Sequence, residues 1–264
     1  MFEALFDLPL VIVGPVIIGM LCLFAGVGLR VVRRRVLPRL RITEEDSGFT
    51  GSMVSAVMVF YGLAVALMAV SVWQSYSDVS KIVSTEATAL ASLYRDVSGY
   101  PDSHRPKLQA ELRDYVENIL QESWPLQRRG KVPVSGVERM NRFQAVLIGF
   151  EPATEGQKAL HGETLRAYNQ MILARRLRLD AVNTGLPAVM WVVILAGAFI
   201  GLSSTFFFKV EDARLHEIQV LLLAAFIGLV IFMIFALDHP FRGELGVSAD
   251  SYQLVYDQLM KARP

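Results

Sequence analysis

Four long apolar runs, with one polar but helix-periodic stretch between the second and third, dominate the hydrophobic pattern of this chain. The runs cover residues 8–29, 51–73, 186–208 and 218–237, and none contains Asp, Glu, Lys or Arg. About 20 apolar residues at ~1.5 Å rise per residue cross a bilayer core, so each run predicts a membrane helix. From residue 79 onward the period is helical: Val79, Ile82, Val83, Glu86, Leu90, Leu93, Tyr94 and Val97 recur mostly at three- and four-residue steps. Together with the second run this predicts one long helix over residues 49–100, whose first half lies in lipid and whose second half lies in water.

The polar stretch continues in the same way. Asp102 or Ser103 is placed to cap a helix carrying Leu108, Leu112, Tyr115, Val116, Ile119, Leu120 and Trp124. A Gly- and Pro-containing break over residues 125–136 precedes a helix at 137–148. A further helix at 154–182 is marked by Leu160, Leu165, Tyr168, Ile172 and Leu179. No segment alternates like a strand, and a short amphipathic helix at 248–261 carries Tyr252, Val255, Tyr256 and Leu259. The expectation is an all-α protein: transmembrane helices one and two in 1–73, a helical soluble bundle inserted in 74–185, helices three and four in 186–238, and a C-terminal amphipathic segment in 239–264.

Composition agrees with a membrane protein. Of 264 residues, 53% are hydrophobic and 19% charged, and the mean hydropathy is +0.40. The first run is too long for a signal-peptide core and lacks a basic flank before it and a small-residue cleavage site after it. A formal net charge of +1 gives no basis for nucleic-acid binding. The single cysteine, Cys22, excludes an intrachain disulfide. Only Glu3 and Asp7 precede the first run, whereas Arg30, Arg33, Arg34, Arg35, Arg39 and Arg41 follow it. The positive-inside rule therefore places the short 30–46 connection in the cytoplasm, with the N-terminus and the 74–185 bundle extracytoplasmic across a plasma (inner) membrane.

Small residues mark the faces on which membrane helices pack closely. The second run has Gly51/Ser55 and Gly62/Ala66, with Ala69 beyond. The third has Gly197, Gly201 and Thr205 at four-residue spacing, and the fourth has Ala224 and Gly228. These glycine-bearing faces predict a homo-oligomer in the lipid bilayer. Within the second run, Tyr61, Gly62, Ala66 and Ala69 are the pore-lining candidates.

Catalytic and metal motifs do not emerge. His104, His161, His216 and His239 lack any spacing that puts two ligands on one helix face, so they are expected at surfaces or caps, with no metal and no cofactor. There is no phosphate loop, nucleophile elbow or serine-lysine motif, and an enzyme is not expected. The absence of ionisable residues within the runs argues against a proton relay but not against a pore, which an apolar constriction can gate. Small ions are therefore the partners to consider.

Glu86 is the chemically unusual position, because it falls on the apolar stripe. Burying an unpaired carboxylate costs several kcal/mol. Arg95, Arg175, Arg176 or Arg178 are available as partners, and the pair is either structural or part of a sensor.

Several segments in order resemble the bestrophin-like family of bacterial membrane proteins. They are Val72-Trp73, Glu86-Ala87, Leu93-Tyr94-Arg95-Asp96, Glu122-Ser123-Trp124-Pro125, Gly185-Leu186-Pro187, and Leu237 through Asp238, His239, Pro240, Phe241, Arg242 and Gly243 to Glu244. The resemblance spans nearly the whole chain and implies the four-helix membrane fold. It is similar more distantly to true bestrophins, pentameric anion channels in which a Pro-Phe-Gly-Glu step follows the last membrane helix. Here Pro240-Phe241 and Gly243-Glu244 match that step. The following Leu245-Gly246-Val247-Ser248 lacks the run of acids that binds calcium in those channels, so no calcium clasp is implied. The distant resemblance also implies a cytoplasmic inserted region, against the arginine count, which is the orientation adopted. The expected function is an oligomeric ion or anion pore. The alternative is a non-conducting sensor or scaffold whose bundle binds a ligand or partner.

Overall fold

The computed structural model describes residues 6, 8–40, 44–208 and 210–261, with side chains of the second helix described from residue 48. Glu3, Asp7 and Arg41, used above in reading topology, lie outside the described residues. The described residues are all-helical in their regular structure, with four helices long and apolar enough to cross a membrane. In chain order the α-helices are α1 (Leu10–Val31), α2 (Glu44–Ser98), α3 (Arg105–Asn118), α4 (Trp124–Gln127), α5 (Gly136–Ile148), α6 (Glu155–Asp180), α7 (Ala188–Thr205), α8 (Ala213–Asp238) and α9 (Asp250–Val255).

The chain divides into two compact units. One holds residues up to Gln74 together with Gly185–Asp238; the other holds Ser75–Thr184 and the chain from His239 onward. The single 55-residue α2 contributes to both.

In the first unit α1 packs along α8. A methyl group at Gly228 would stand 3.0 Å from the Ile18 Cα, so only glycine allows this approach. Arg30, at the end of α1, forms an ion pair with Glu217 near the start of α8. Beyond α1 the arginine-rich start of the 30–46 connection stays helical, as a π-helical turn at Val32–Val36 and a 3-10 turn at Leu37–Arg39. Nothing in these five or so residues breaks a helix before Pro38, and Pro is tolerated in the first positions of a new turn.

The α2 contribution is a narrow seam. Val54, Met58, Tyr61, Val65, Met68 and Val72 recur at alternating four- and three-residue steps and meet the rest of the unit. On α7, a side chain at Gly197 would collide with the Tyr61 ring, and a methyl at Gly201 would lie 2.5 Å from Met58 Sδ. The Tyr61 hydroxyl donates to the Ile194 carbonyl at 3.1 Å. Thr205 is buried with its hydroxyl on the Leu202 carbonyl at 2.7 Å, and Ala224 is fully buried. The glycine faces of α7 and α8 are thus filled within the chain, and those named for subunit contacts serve packing inside one subunit instead.

In the second unit, the buried residues of α2 from Val79 to Val97 meet α3, α5, α6 and α9 in one core. Thr154 caps α6, accepting from the Gln157 amide at 3.2 Å. Neither Asp102 nor Ser103 caps α3: His104 takes the N-cap position without a side-chain bond, and Asp102 pairs with Arg105. The expected break at 125–136 starts later, because a π-helical turn (Ile119–Ser123) leads into α4, where Pro125 occupies an early position that needs no amide hydrogen. The C-terminal helix is likewise shorter, α9 ending in a π-helical turn at Tyr256–Met260.

Candidate functional site

The second unit is built around a carboxylate. Glu86 sits on α2 between Val83 and Leu90 and is 0% exposed. Its partner arrives from α6: Arg178 donates from Nε to one carboxylate oxygen at 2.6 Å and from Nη2 to the other at 3.1 Å. This two-pronged fork is the geometry that guanidinium and carboxylate favour. A third bond comes from α3, where the Tyr115 hydroxyl donates to Glu86 at 2.9 Å. Arg178 itself stands 5.7 Å from the centre of the Tyr252 ring on α9. Four helices far apart in sequence therefore meet at one buried ion pair.

The electrostatics follow from burial. Both tyrosine hydroxyls are pushed well above their ordinary range, first by burial and then by the adjacent Glu86 charge, so both stay protonated. Burial works against the Arg178 charge, but Glu86 more than offsets it and pushes the guanidinium's pKa up. A forked, buried pair with three hydrogen bonds holds helices in register.

Arg95, put forward with Glu86 from sequence, is exposed and is not its partner; about two and a half helical turns separate them along α2. Arg95 lines a shallow groove of about 360 Å³ with Ser84, Thr88, Ser92, Leu254 and Gln258. Tyr252 was seen in sequence only as a docking residue, and Tyr115 only as a core marker; the hydroxyls on apolar stripe positions were the available signal.

The C-terminal motif divides between the units. Asp238, the last residue of α8, is buried and accepts from the Leu186 amide at 2.6 Å and from Trp191 Nε1 at 3.2 Å, which fixes the start of α7 in the first unit. The sequence reading placed this acid outside the apolar run and missed its contacts at the entry to α7. In the second unit Phe241 is fully buried edge-on to Trp124, at 5.5 Å between ring centres, and Pro240 is buried beside it. The Val247 amide donates to the Pro240 carbonyl at 2.7 Å, and Gly243 holds a φ of 74° that suits glycine. Glu244 is exposed.

Of the pore candidates, Gly62 and Ala66 lie on the uncovered side of α2, and no atom of the chain comes within 4 Å of a methyl placed at Gly62. Tyr61 is turned into the chain against Gly197, and Ala69 packs at the margin of the same cluster, so neither faces away from the chain. The reason is angular: ~100° per residue keeps positions 61 and 62 from sharing a face.

Among the histidines, His216 is buried, with Nε2 3.1 Å from the Thr205 carbonyl, rather than at a surface. His161 Nδ1 pairs with the Tyr100 hydroxyl at 2.8 Å. No group of three metal-binding side chains occurs among the described residues.

Four apolar membrane-length helices and a largely helical remainder define an integral membrane protein of the all-α class. The bestrophin-like domain model matches residues 20–252, and the chain belongs to the bestrophin-like family. No curated protein matches the chain, and no solved structure matches it.

Proposed function

We propose that this bestrophin-like protein assembles as a homo-oligomer around α2 and forms a pore for small ions, with anions the family-based expectation. The observation that carries the reading is the bareness of α2. Only 11% of its most apolar window is buried within the chain, against 39% for α8. Gly48, Ser55, Gly62 and Ala66 remain uncovered there. Small side chains let copies approach closely, and the large apolar residues beside them suit lipid. Gly62 and Ala66 are the residues we place at the pore wall. The second unit is then an aqueous bundle inserted between membrane helices two and three, extracytoplasmic by the arginine count of residues 30–39. No enzymatic step and no cofactor enter this reading.

Purified protein in liposomes tests it. Ion flux from an oligomer of verified size is expected, and no flux from such an oligomer would sink the pore. A cysteine at Val134, in a Cys22→Ala background, should react with an impermeant maleimide in intact cells; reaction only after lysis would reverse the orientation. The groove beside Arg95 favours a second reading, a non-conducting sensor or scaffold that takes a ligand or partner there, and silent liposomes would leave that reading in place.

A further inference from the structure

Two arginine-glycine steps from distant parts of the chain meet in the second unit. One closes the turn after α4, within Gln127-Arg128-Arg129-Gly130-Lys131; the other is Arg242-Gly243, just past the end of α8. The Gly130 and Lys131 amides donate back to the Gln127 and Leu126 carbonyls at 2.8 and 3.0 Å, a tight turn that holds Gly130 at a φ of 69°. Arg128 Nη2 donates to the Gly243 carbonyl and Arg242 Nη2 to the Arg129 carbonyl, each at 3.3 Å. Gly130 is bare where Arg242 crosses it, since a methyl there would stand 3.1 Å from Nε. The two cationic steps are thus clasped to each other through their backbone carbonyls.

The clasp gathers charge without balancing it. Residues 124–137 contain Arg128, Arg129 and Lys131 and no acid; residues 239–249 add Arg242 and a single acid, Glu244, which is exposed. Arg128, Arg129 and Lys131 are exposed and form no ion pair among the described residues. Elsewhere in this unit exposed cations take carboxylates: Lys81 has Asp78, Arg142 has Glu111 and Asp114, and Arg166 has Glu163. Four like charges gathered with one acid set up a positive field that draws anions. Val132 and Leu245, on either side of the clasp, are apolar and 47% and 49% exposed. Basic side chains beside bare apolar ones suit the boundary between headgroups and hydrocarbon.

Connectivity brings that boundary within reach. Arg242 stands four residues after Asp238, the last residue of the membrane-length α8. Four residues extend at most about 14 Å, and the polar layer on each side of a bilayer is about 5–8 Å deep. The chain therefore tethers the clasp beside the headgroups of the membrane that α8 crosses.

We propose that the clasp is an anionic-lipid site. Arg128, Arg129, Lys131 and Arg242 take phosphate headgroups of the surrounding bilayer, and Val132 and Leu245 rest at its interface. The site rests on the membrane class of the protein; it is indifferent to conduction and to which leaflet the second unit faces.

A local probe in the full-length protein provides the test. With Cys22→Ala and Leu245→Cys, an environment-sensitive fluorophore at position 245 is read in nanodiscs of phosphatidylcholine with increasing phosphatidylglycerol. A saturable blue shift with phosphatidylglycerol is expected, shrinking as added salt screens the charges. The combined Arg128→Gln, Arg129→Gln and Lys131→Gln variant should lose it. Arg33→Gln, Arg34→Gln and Arg35→Gln together, in the basic stretch after α1, should keep it. Equal emission in both lipids overturns the proposal, as does a shift that survives the first variant or is lost in the second. A shift reproduced by soluble glycerol phosphate in pure phosphatidylcholine discs would assign a free anion and also overturn it. If the triple variant does not fold, Arg129→Gln and Lys131→Gln decide, because neither side chain makes a bond among the described residues. Each should raise the phosphatidylglycerol content needed for half the shift by about fivefold, the effect of one surface charge; no change in either refutes the site.

Discussion

The two halves of α2 are covered in similar ways and left bare in opposite ways. Between Val54 and Val72 a seam at three- and four-residue steps is buried, and the positions outside it include Met53, Val57, Val59, Phe60, Leu63, Leu67 and Val70, all exposed and apolar. Between Val79 and Val97 a second seam is buried, and the exposed positions are Asp78, Ser80, Lys81, Ser84, Thr85, Thr88, Ser92, Arg95 and Ser98. One helix thus changes the medium it suits near residue 74. The buried side chains alone do not reveal this, since valine and leucine serve both seams; the outward-facing ones do. Apolar surface of that extent belongs against lipid or another copy, whereas hydroxyl and charged surface belongs in water.

The sharpest way to break the comparison is at Glu86. Replacing it with Leu should strand Arg178 without a counter-charge and cost about 3–5 kcal/mol of unfolding free energy, as should Arg178→Met. The double variant should recover most of that loss, and denaturant titration in detergent checks both. If Glu86→Gln altered neither stability nor function, the ion pair would not be what holds the second half.

Next in size are glycines in the first half. Gly197→Val should drive into Tyr61 and destabilise the first unit by about 1–3 kcal/mol. Gly62→Val meets nothing in the chain, so its unfolding should shift by less than about 0.5 kcal/mol while the oligomer, measured by light scattering, dissociates. An unchanged oligomer would remove α2 from the subunit interface.

Asp238→Ala removes two bonds at the start of α7 and should cost about 1–3 kcal/mol. The smallest effect is in alkali. Tyr115 and Tyr252 have folded pKa values raised above the ordinary 10, so they contribute stability that is complete below about pH 10. Above it the unfolded chain releases protons that the folded one keeps, and stability falls as pH rises. The wild type should therefore lose Tm more steeply above pH 10 than Tyr252→Phe does; equal slopes would contradict the burial of that hydroxyl.

Much of this molecule was legible in its sequence. The membrane helices were visible because apolar runs of that length, free of charge, give a helix no side to turn toward water. Glu86 stood out because an acid on an apolar stripe must find a partner. Its choice of Arg178 was not legible: Arg175, Arg176 and Arg178 are close together on one helix, and which of them meets Glu86 is settled by how α6 packs in the folded core. Asp238 was missed for a different reason. At the end of an apolar run an acid reads as the return to water, and its hold on the segment entering α7 depends on a contact 52 residues away. The small residues of α7 and α8 meet neighbours within the chain, and sequence does not distinguish packing within a subunit from packing between subunits. The ring of Tyr61 lying over Gly197 makes that distinction.

The distance along the chain between Glu86 and Arg178 has a consequence during synthesis. The two residues are 92 positions apart. At roughly 5–20 residues added per second, each nascent chain carries Glu86 for about 5–18 seconds before Arg178 has even been joined to it. Until then the apolar stripe of α2 around Glu86 is an unfinished surface whose carboxylate must remain hydrated. Docking of that half of the helix is thereby deferred, and the order in which the ribosome delivers residues becomes part of how the core is closed.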